Sequence, residues 1–408
     1  MKYLLLTLEY PPFKGGVGHY YFNLVKNWPG KHTPAHGHPS QEGNIKVIDN
    51  SNNKLVDNKR AFLKWWPAMG VLKSELKKNP DNYVLVGHLL PLGTVAWLLS
   101  FVYKFKYCVF LHGYDLSLGW SQTRKRWLIK AILNKADKII CANTYTASQA
   151  KKILNLSFRP EQSGVEESLR GGTKDTAKGS LGYARDDRKD NYSKVVVVNP
   201  GIEGGTIVYD EAKIEALKRR YNLSGKTVLL TVGRLTKRKG ADMALDALNL
   251  AKNSLPELAF VIIGQGEEEA NLRSKIGNLG LGRQTHILTD VDDEEKMNWY
   301  KLCDIFIMTA RQIGADMEGF GIVYLEAGLA GKPVIAGASG GVADAVADNV
   351  NGLLVNPTDA EQISEAIIKL AKYPSLRNRL GDAGRARALE NFNWEKQAKK
   401  IFDFLTKN

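Results

Sequence analysis

Short apolar runs alternate with longer stretches of helical spacing along the whole chain, and this rhythm restricts its possible folds more than any other feature. YLLLTL (3–8), NIKVID (44–49), YVLVGH (83–88), YCVFLH (107–112), KIICAN (138–143) and KVVVVN (194–199) read as strands in the first half. TVLLTVG (227–233), LAFVIIG (258–264), HILT (286–289), IFIMTA (305–310), PVIAG (333–337) and GLLV (352–355) read the same way in the second. Runs that are apolar throughout suit strands covered on both faces, and the helical stretches between them supply the cover. The expected class is α/β, with two parallel-sheet layers. A chain of 408 residues with 44% hydrophobic content is long enough for two domains of ordinary size. Their join is expected near Asn199-Pro200-Gly201, giving a first domain over 1–199. Residues 157–193, rich in Gly, Ser and charge, read as a flexible insertion before that join, and 29–43 as a loop.

Ligands of parallel α/β sheets bind beyond the C-terminal strand ends, so the loops after each run carry the functional information. The most informative is EGFGIVYLEAGLAGKPVIAG. Gly319 and Gly321 flank Phe320 ahead of an apolar helix pattern, and a helix start offers free N–H groups and a positive dipole end to an anionic or hydroxyl-rich ligand. Glu318 lies just before that helix and Glu326 about one turn inside it, so the two carboxylates can grip two parts of one polyhydroxylated molecule. The plainer alternative is one acid complementing the helix dipole and one solvated Glu. After TVLLTVG come Arg234 and then Lys237, Arg238, Lys239 and Gly240. Cations beyond a buried strand end can neutralise a diphosphate, or can simply form a solvated basic turn. Gly15, Gly16 and Gly18 follow the first run and precede a helix pattern, where the backbone could approach a phosphate closely or merely turn tightly. His112 ends the YCVFLH run, with Gly113 and Asp115 behind it.

Other patterns point away from competing chemistries. GxxxxGK[ST] is absent, and in VIIGQGEEE the third glycine of a dinucleotide fingerprint is replaced by Glu269. Asp290 and Asp292 form a D-x-D ahead of a helix pattern and read as helix caps, not metal ligands. His32, His36 and His38 share a loop without an evident carboxylate or thiol partner. No metal site and no cofactor are expected. Cys108, Cys141 and Cys303 sit in apolar runs without a CxxC and read as buried packing thiols in a reducing compartment. The apolar stretch 89–103 falls short of the ~20 residues that span a bilayer, and the N-terminus lacks a signal-peptide core. A cytoplasmic location is expected.

Taken in order, PPFKGGVGHY, FLHGYD, VNPGI, GRLTKRKG, VIIGQGEE, EGFGIVYLEAGLAGKPVIAG and GGVADAVADNVNGLLVNPTD resemble the retaining glycosyltransferases of family 4. The resemblance runs through the C-terminal half and touches the N-terminal half at its strand-end loops. It implies the GT-B fold: two Rossmann-like domains facing each other across a cleft, an acceptor-binding domain over 1–199, a nucleotide-sugar domain over 200–385, and a C-terminal helix, 386–408, crossing back to the first domain. It further implies transfer of a hexose from a UDP- or GDP-linked donor, with retention and without a metal, to a glycan or lipid-linked acceptor in cell-envelope or polysaccharide biosynthesis. By the same resemblance Glu326 binds the ribose hydroxyls. Glu318, with the backbone of Gly319, Phe320 and Gly321, cradles the donor sugar. Arg234 and Lys239, helped by Gly15 and Gly16, clamp the diphosphate, His112 contacts the transferring sugar, and Asp115 touches the acceptor. A nucleotide-sugar epimerase, a glycogen-synthase-like polymerase and a non-catalytic nucleotide-sugar binder are the rival readings.

The net charge of +14 belongs to the first half: residues 1–199 carry 30 Lys and Arg against 15 Asp and Glu. A one-sided positive field favours anionic partners. No nucleic-acid-binding pattern accompanies it. Instead 62–78 joins Trp65 and Trp66 to lysines, and 121–130 sets Trp127 among Arg124, Lys125, Arg126 and Lys130. Such mixtures suit an anionic membrane surface or, more plainly, amphipathic helices packed on a sheet. A peripheral enzyme on the inner face of the membrane is the expectation.

Overall fold

Two six-stranded parallel sheets organise the chain. The computed structural model describes residues 2–12, 16–29, 44–57, 63–114, 116–117, 123–155, 194–203 and 209–407. Gly15, Asp115, the His32–His36–His38 loop and the 157–193 segment lie outside them.

The first sheet contains β1 (Lys2–Leu6), β2 (Ile45–Ile48), β3 (Asn82–Val86), β4 (Tyr107–Leu111), β5 (Lys138–Cys141) and β6 (Val195–Val197), in the order β2-β1-β3-β4-β5-β6. The second contains β7 (Thr227–Val232), β8 (Leu258–Ile263), β9 (Thr285–Leu288), β10 (Ile305–Met308), β11 (Val334–Gly337) and β12 (Gly352–Val355), in the order β12-β11-β10-β7-β8-β9. Each apolar run of the sequence therefore holds a strand. Central strands such as β3, β4 and β8 are buried at every residue, as the unbroken apolar runs require.

In chain order the helices are α1 (Gly16–Lys26), α2 (Trp66–Lys78), α3 (Leu92–Leu99), α4 (Thr123–Lys135) and α5 (Thr144–Ile153) around the first sheet. They continue with α6 (Glu211–Arg220), α7 (Ala241–Ala251), α8 (Glu269–Asn278), α9 (Asp293–Leu302), α10 (Ile322–Leu329), α11 (Val342–Ala345), α12 (Ala360–Lys372), α13 (Pro374–Asn391) and α14 (Trp394–Thr406). Local chemistry sets many of their starts. Asn143, Asp210, Asp292, Asp359 and Asn393 each accept a backbone N–H from the first turn of the helix they precede. Asp292 is thus a cap, as its position before a helix pattern predicted, whereas Asp290, two residues upstream, caps no helix among the described residues.

Each sheet is covered on both faces by separate apolar clusters. Trp394, Ala398, Ile401 and Leu405 of α14 join the cluster of Tyr3, Tyr20, Tyr21 and Phe110. The last helix therefore packs on the first sheet although it follows the second in sequence. Both sheets change direction of winding internally, between β1 and β3 and between β7 and β10. The loops at those points form natural ligand crevices. Among the described residues no helix is long and apolar enough to cross a membrane. Cys108, Cys141 and Cys303 are buried free thiols.

Candidate active site

The loop after β7 holds the basic residues singled out in the sequence. A short 3-10 turn over Lys237–Lys239 ends at Gly240, whose φ of +77° is left-handed. A Cβ there would lie 2.0 Å from the Thr309 carbonyl, and Thr309 Oγ1 donates to the Gly240 carbonyl at 2.8 Å. Only glycine lets this loop lie against the end of β10. Arg234 projects from the loop, exposed and without an ion pair among the described residues. Lys239 folds back over Gly233.

The loop after β10 brings Glu318 to the same place. The carboxylate is buried, and one oxygen, Oε2, accepts from Arg238 Nη1 at 2.7 Å and from Lys239 Nζ at 2.6 Å. Arg238 Nε lies 3.1 Å from Asp316 Oδ2. Oε1 of Glu318 takes no hydrogen bond among the described residues. Burial pushes the Glu318 carboxyl up, but Lys239 and Arg238 outweigh it and hold it below its ordinary value. Glu318 is an ion with its charge already balanced. Phe320 turns into the core against Phe392, ring centres 5.5 Å apart. Gly321, at φ +81°, starts α10. One turn inside that helix Glu326 Oε2 accepts from Tyr300 Oη at 2.6 Å, and Oε1 lies 3.7 Å from Lys296 Nζ.

His112 follows β4 on the first lobe. A Cβ on Gly319 would lie 3.1 Å from the His112 carbonyl, so the two lobes meet here. Tyr20 and Tyr21 box the imidazole edge-on at 5.0 and 5.4 Å. Burial, with a smaller contribution from His88, lowers its pKa to about 3, so the ring is neutral at physiological pH. Its tautomer follows from donor counting. Tyr21 Oη donates its single proton to the Gly87 carbonyl at 2.7 Å and also lies 2.7 Å from His112 Nε2. Nε2 must then carry the ring proton and donate to the tyrosine oxygen, which leaves Nδ1 as an acceptor.

The structure thus brings Lys239, Glu318, Gly319 and His112 to one place, with Gly321 and Glu326 on the adjoining helix. Arg234 shares the loop of Lys239 but does not touch Glu318. Gly16 opens α1, exposed, at the first sheet's crevice. Sequence reading missed Arg238 as a partner of Glu318, Tyr300 and Lys296 as partners of Glu326, and Tyr21 as the brace of His112. No local pattern announces such pairs. A separate hollow of about 300 Å³, lined by Lys218, Lys226 and Asp304, opens where β7 begins, at the sheet edge opposite these loops.

Comparisons with known proteins bear on the family and the fold. The profile of the family "Glycosyl transferases group 1" matches residues 213–387. A GDP-mannose-dependent monoacylated alpha-(1-6)-phosphatidylinositol monomannoside mannosyltransferase of Corynebacterium glutamicum is 34% identical, covering 99% of this chain and 97% of its own. A GDP-mannose-dependent alpha-(1-6)-phosphatidylinositol monomannoside mannosyltransferase of Mycolicibacterium smegmatis is 26% identical, over 99% and 98% respectively. Among solved structures, Anabaena HepE in complex with UDP superposes with a TM-score of 0.73 at 18% identity over the whole of both chains. WaaG, a glycosyltransferase involved in lipopolysaccharide biosynthesis, gives 0.65 at 18% identity, over 99% and 100%. These superpositions fix the fold as GT-B. With one-third identity to a mannosyltransferase over nearly its full length, the chain belongs to the group 1 glycosyltransferases and is an enzyme of that family.

Proposed function

We propose that this enzyme moves a mannosyl residue from GDP-mannose to a lipid-linked hydroxyl acceptor, with retention of anomeric configuration and without a metal ion. Residues 1–199 form the acceptor domain and the donor domain follows from 200; it runs past the expected 385 to the end of α13, since Ala388 packs in the second lobe's core, and the element crossing back is α14. The observation that carries the reading is Glu318, buried and charge-balanced by Lys239 and Arg238, directly beneath the start of α10 and across from His112. The donor's diphosphate is taken by Arg234, Lys239 and the loop glycines, its ribose by Glu326, and its sugar by Glu318 Oε1 and the backbone of 319–321.

Cleavage of the anomeric C–O bond places negative charge on the leaving phosphate, and preorganised cations stabilise it as it develops. Two cations already share Glu318 Oε2, so this carboxylate is a poor nucleophile and serves to bind. The acceptor hydroxyl then attacks from the face the phosphate leaves and gives it the proton, which preserves the configuration. His112, neutral and carrying its proton on Nε2, offers Nδ1 as an acceptor for a sugar hydroxyl. GDP-mannose is favoured over a UDP-linked donor because the relatives similar along their full length are named for it.

A lipid-linked acceptor fits the first lobe's outer helices. Trp66 and Trp127 are 52% and 68% exposed, beside the exposed cations Lys73, Lys77, Arg124, Arg126 and Lys130. Basic and aromatic groups together suit an anionic leaflet. Peripheral attachment there would place the cleft at the acceptor.

The test incubates the protein with GDP-mannose, UDP-glucose or ADP-glucose, with and without phosphatidylinositol-type acceptors and EDTA. Mannosylated lipid of α configuration, formed equally in EDTA, is expected. Conversion of donor without acceptor would indicate an epimerase, and turnover confined to UDP-glucose would overturn the donor assignment.

A further inference from the structure

The two lobes are joined at the site by a contact whose parts come from both. Asn143, between β5 and α5, is 1% exposed. Its Oδ1 accepts from the Thr146 backbone N–H at 2.7 Å and caps α5. That bond fixes the amide, so Nδ2 points the other way, across the cleft, where it donates to the Gly319 carbonyl. Gly319 belongs to the second lobe and follows Glu318 directly. From behind, the Gly341 backbone N–H donates to the Glu318 carbonyl at 3.0 Å. A Cβ on Gly341 would lie 1.9 Å from the Gly319 oxygen and 2.8 Å from Asn143 Cβ, so the three segments meet without room for a methyl group.

One turn onward, Asp344 reaches back to the first lobe. Its carboxylate accepts from the Thr144 backbone N–H and from Asn199 Nδ2, both at 2.8 Å, and from Thr144 Oγ1. Asn199 Nδ2 also donates to the Ala142 carbonyl at 3.1 Å. On its own lobe Arg387 Nη2 donates to the Asp344 carbonyl at 2.8 Å.

We infer that Asn143 is a positioning residue for transfer, and that Asp344 is the clasp that holds it in place. The Gly319 peptide is the backbone beside Glu318. Among the described residues its carbonyl takes its one hydrogen bond from the first lobe, from Asn143. The donor site is therefore fully set only when the acceptor lobe is docked. A donor bound to an undocked enzyme meets a looser cradle and transfers poorly, which ties bond cleavage to the presence of the acceptor side. This deepens the transfer reading above and rests on it.

The test uses the full-length protein with three substitutions. Asn143→Ser keeps a capping oxygen but cannot reach Gly319. Asn143→Ala removes both contacts, and Asp344→Ala opens the clasp. Thermal midpoint, the midpoint shift with GDP-mannose, kcat and donor KM are measured, together with hydrogen exchange over 316–321 without ligand. Expected for Asn143→Ser is a midpoint and donor-induced shift like wild type, a tenfold or larger loss of kcat with donor KM within threefold, and faster exchange at 316–321. Asp344→Ala should show the same exchange change. Wild-type kcat or unchanged exchange in Asn143→Ser would overturn the inference, as would a ligand-free midpoint lowered in step with activity, since that marks a folding role. If wild type transfers nothing, the functional proposal fails, and the exchange measurement still decides the clasp.

Discussion

Glu318 and His112 lie on lobes that meet at Gly319, and they are held in opposite electrostatic states. The carboxylate is kept ionised by two cations, and the imidazole is kept neutral by its surroundings. Glu318→Gln should leave Arg238 and Lys239 facing a neutral amide inside the protein. Breaking a buried pair in this way typically costs about 3–5 kcal/mol, so a lower urea midpoint together with at least a hundredfold loss of turnover is expected. His112 makes a separate prediction about pH. Its folded pKa is depressed to about 3, so between pH ~6.5 and 3 the unfolded chain binds a proton that the folded one refuses. Stability is then fully present above pH ~6.5 and falls on acidification, by up to about 1.4 kcal/mol per pH unit from this group. Glu318, whose pKa is lowered, keeps its contribution above the ordinary carboxylate range and loses it only at lower pH. Denaturation of His112→Asn between pH 6.5 and 5 should therefore show a shallower slope than wild type, in a window that Glu318 does not reach. Tyr21→Phe removes the donor to Gly87 and the acceptor of His112 Nε2–H. Nitrogen NMR should report a single Nε2–H tautomer in wild type and a mixture in the variant, with about tenfold lower kcat/KM.

Strands and helix starts were legible in the sequence because their causes are local. β8 is an unbroken apolar run, and the cap of α9 is an acid immediately before a helical pattern. Replacing that cap, Asp292→Ala, should lower stability by about 1 kcal/mol and leave turnover unchanged with or without Mn²⁺, as a thermal melt and an assay would register. Strand ends were less legible. The apolar run 107–112 continues through His112, but β4 stops at Leu111 because the next residue turns its backbone toward the other lobe. Lys239, Glu318 and His112, which the structure brings together, were picked out by motif, but their partners were not. Arg238 and Glu318 are 80 positions apart, and Tyr21 and His112 are 91. Nothing periodic or adjacent marks either pair. Gly240 is a harsher test of the loop after β7. Gly240→Ala combines an unfavourable φ with a clash against Thr309, and should abolish donor binding in a thermal-shift assay even where the protein still folds.

Across the whole molecule, the returning helix α14 links the catalytic region to the chain's end. Trp394 stacks edge-on against Tyr20 at 5.2 Å, and Tyr20 stacks against His112 at 5.0 Å. Trp394→Ala should cost about 3–5 kcal/mol and reduce turnover although the residue touches no substrate. Equilibrium denaturation and steady-state kinetics would show both. The charge asymmetry acts at the same scale. Flotation with liposomes should retain the protein on anionic lipid at low salt and release it at 0.5 M salt, and Trp66→Ser with Trp127→Ser should weaken retention. Among the described residues the chain passes between lobes at 199–202 and at 391–394, and the passages touch: the Ile202 backbone N–H donates to the Phe392 carbonyl at 2.6 Å, and Ile202 pairs with Asn393. Two bodies tied by adjoining threads at one place stay together there, so any parting of the lobes is smallest at the threads and widest at the rim farthest from them.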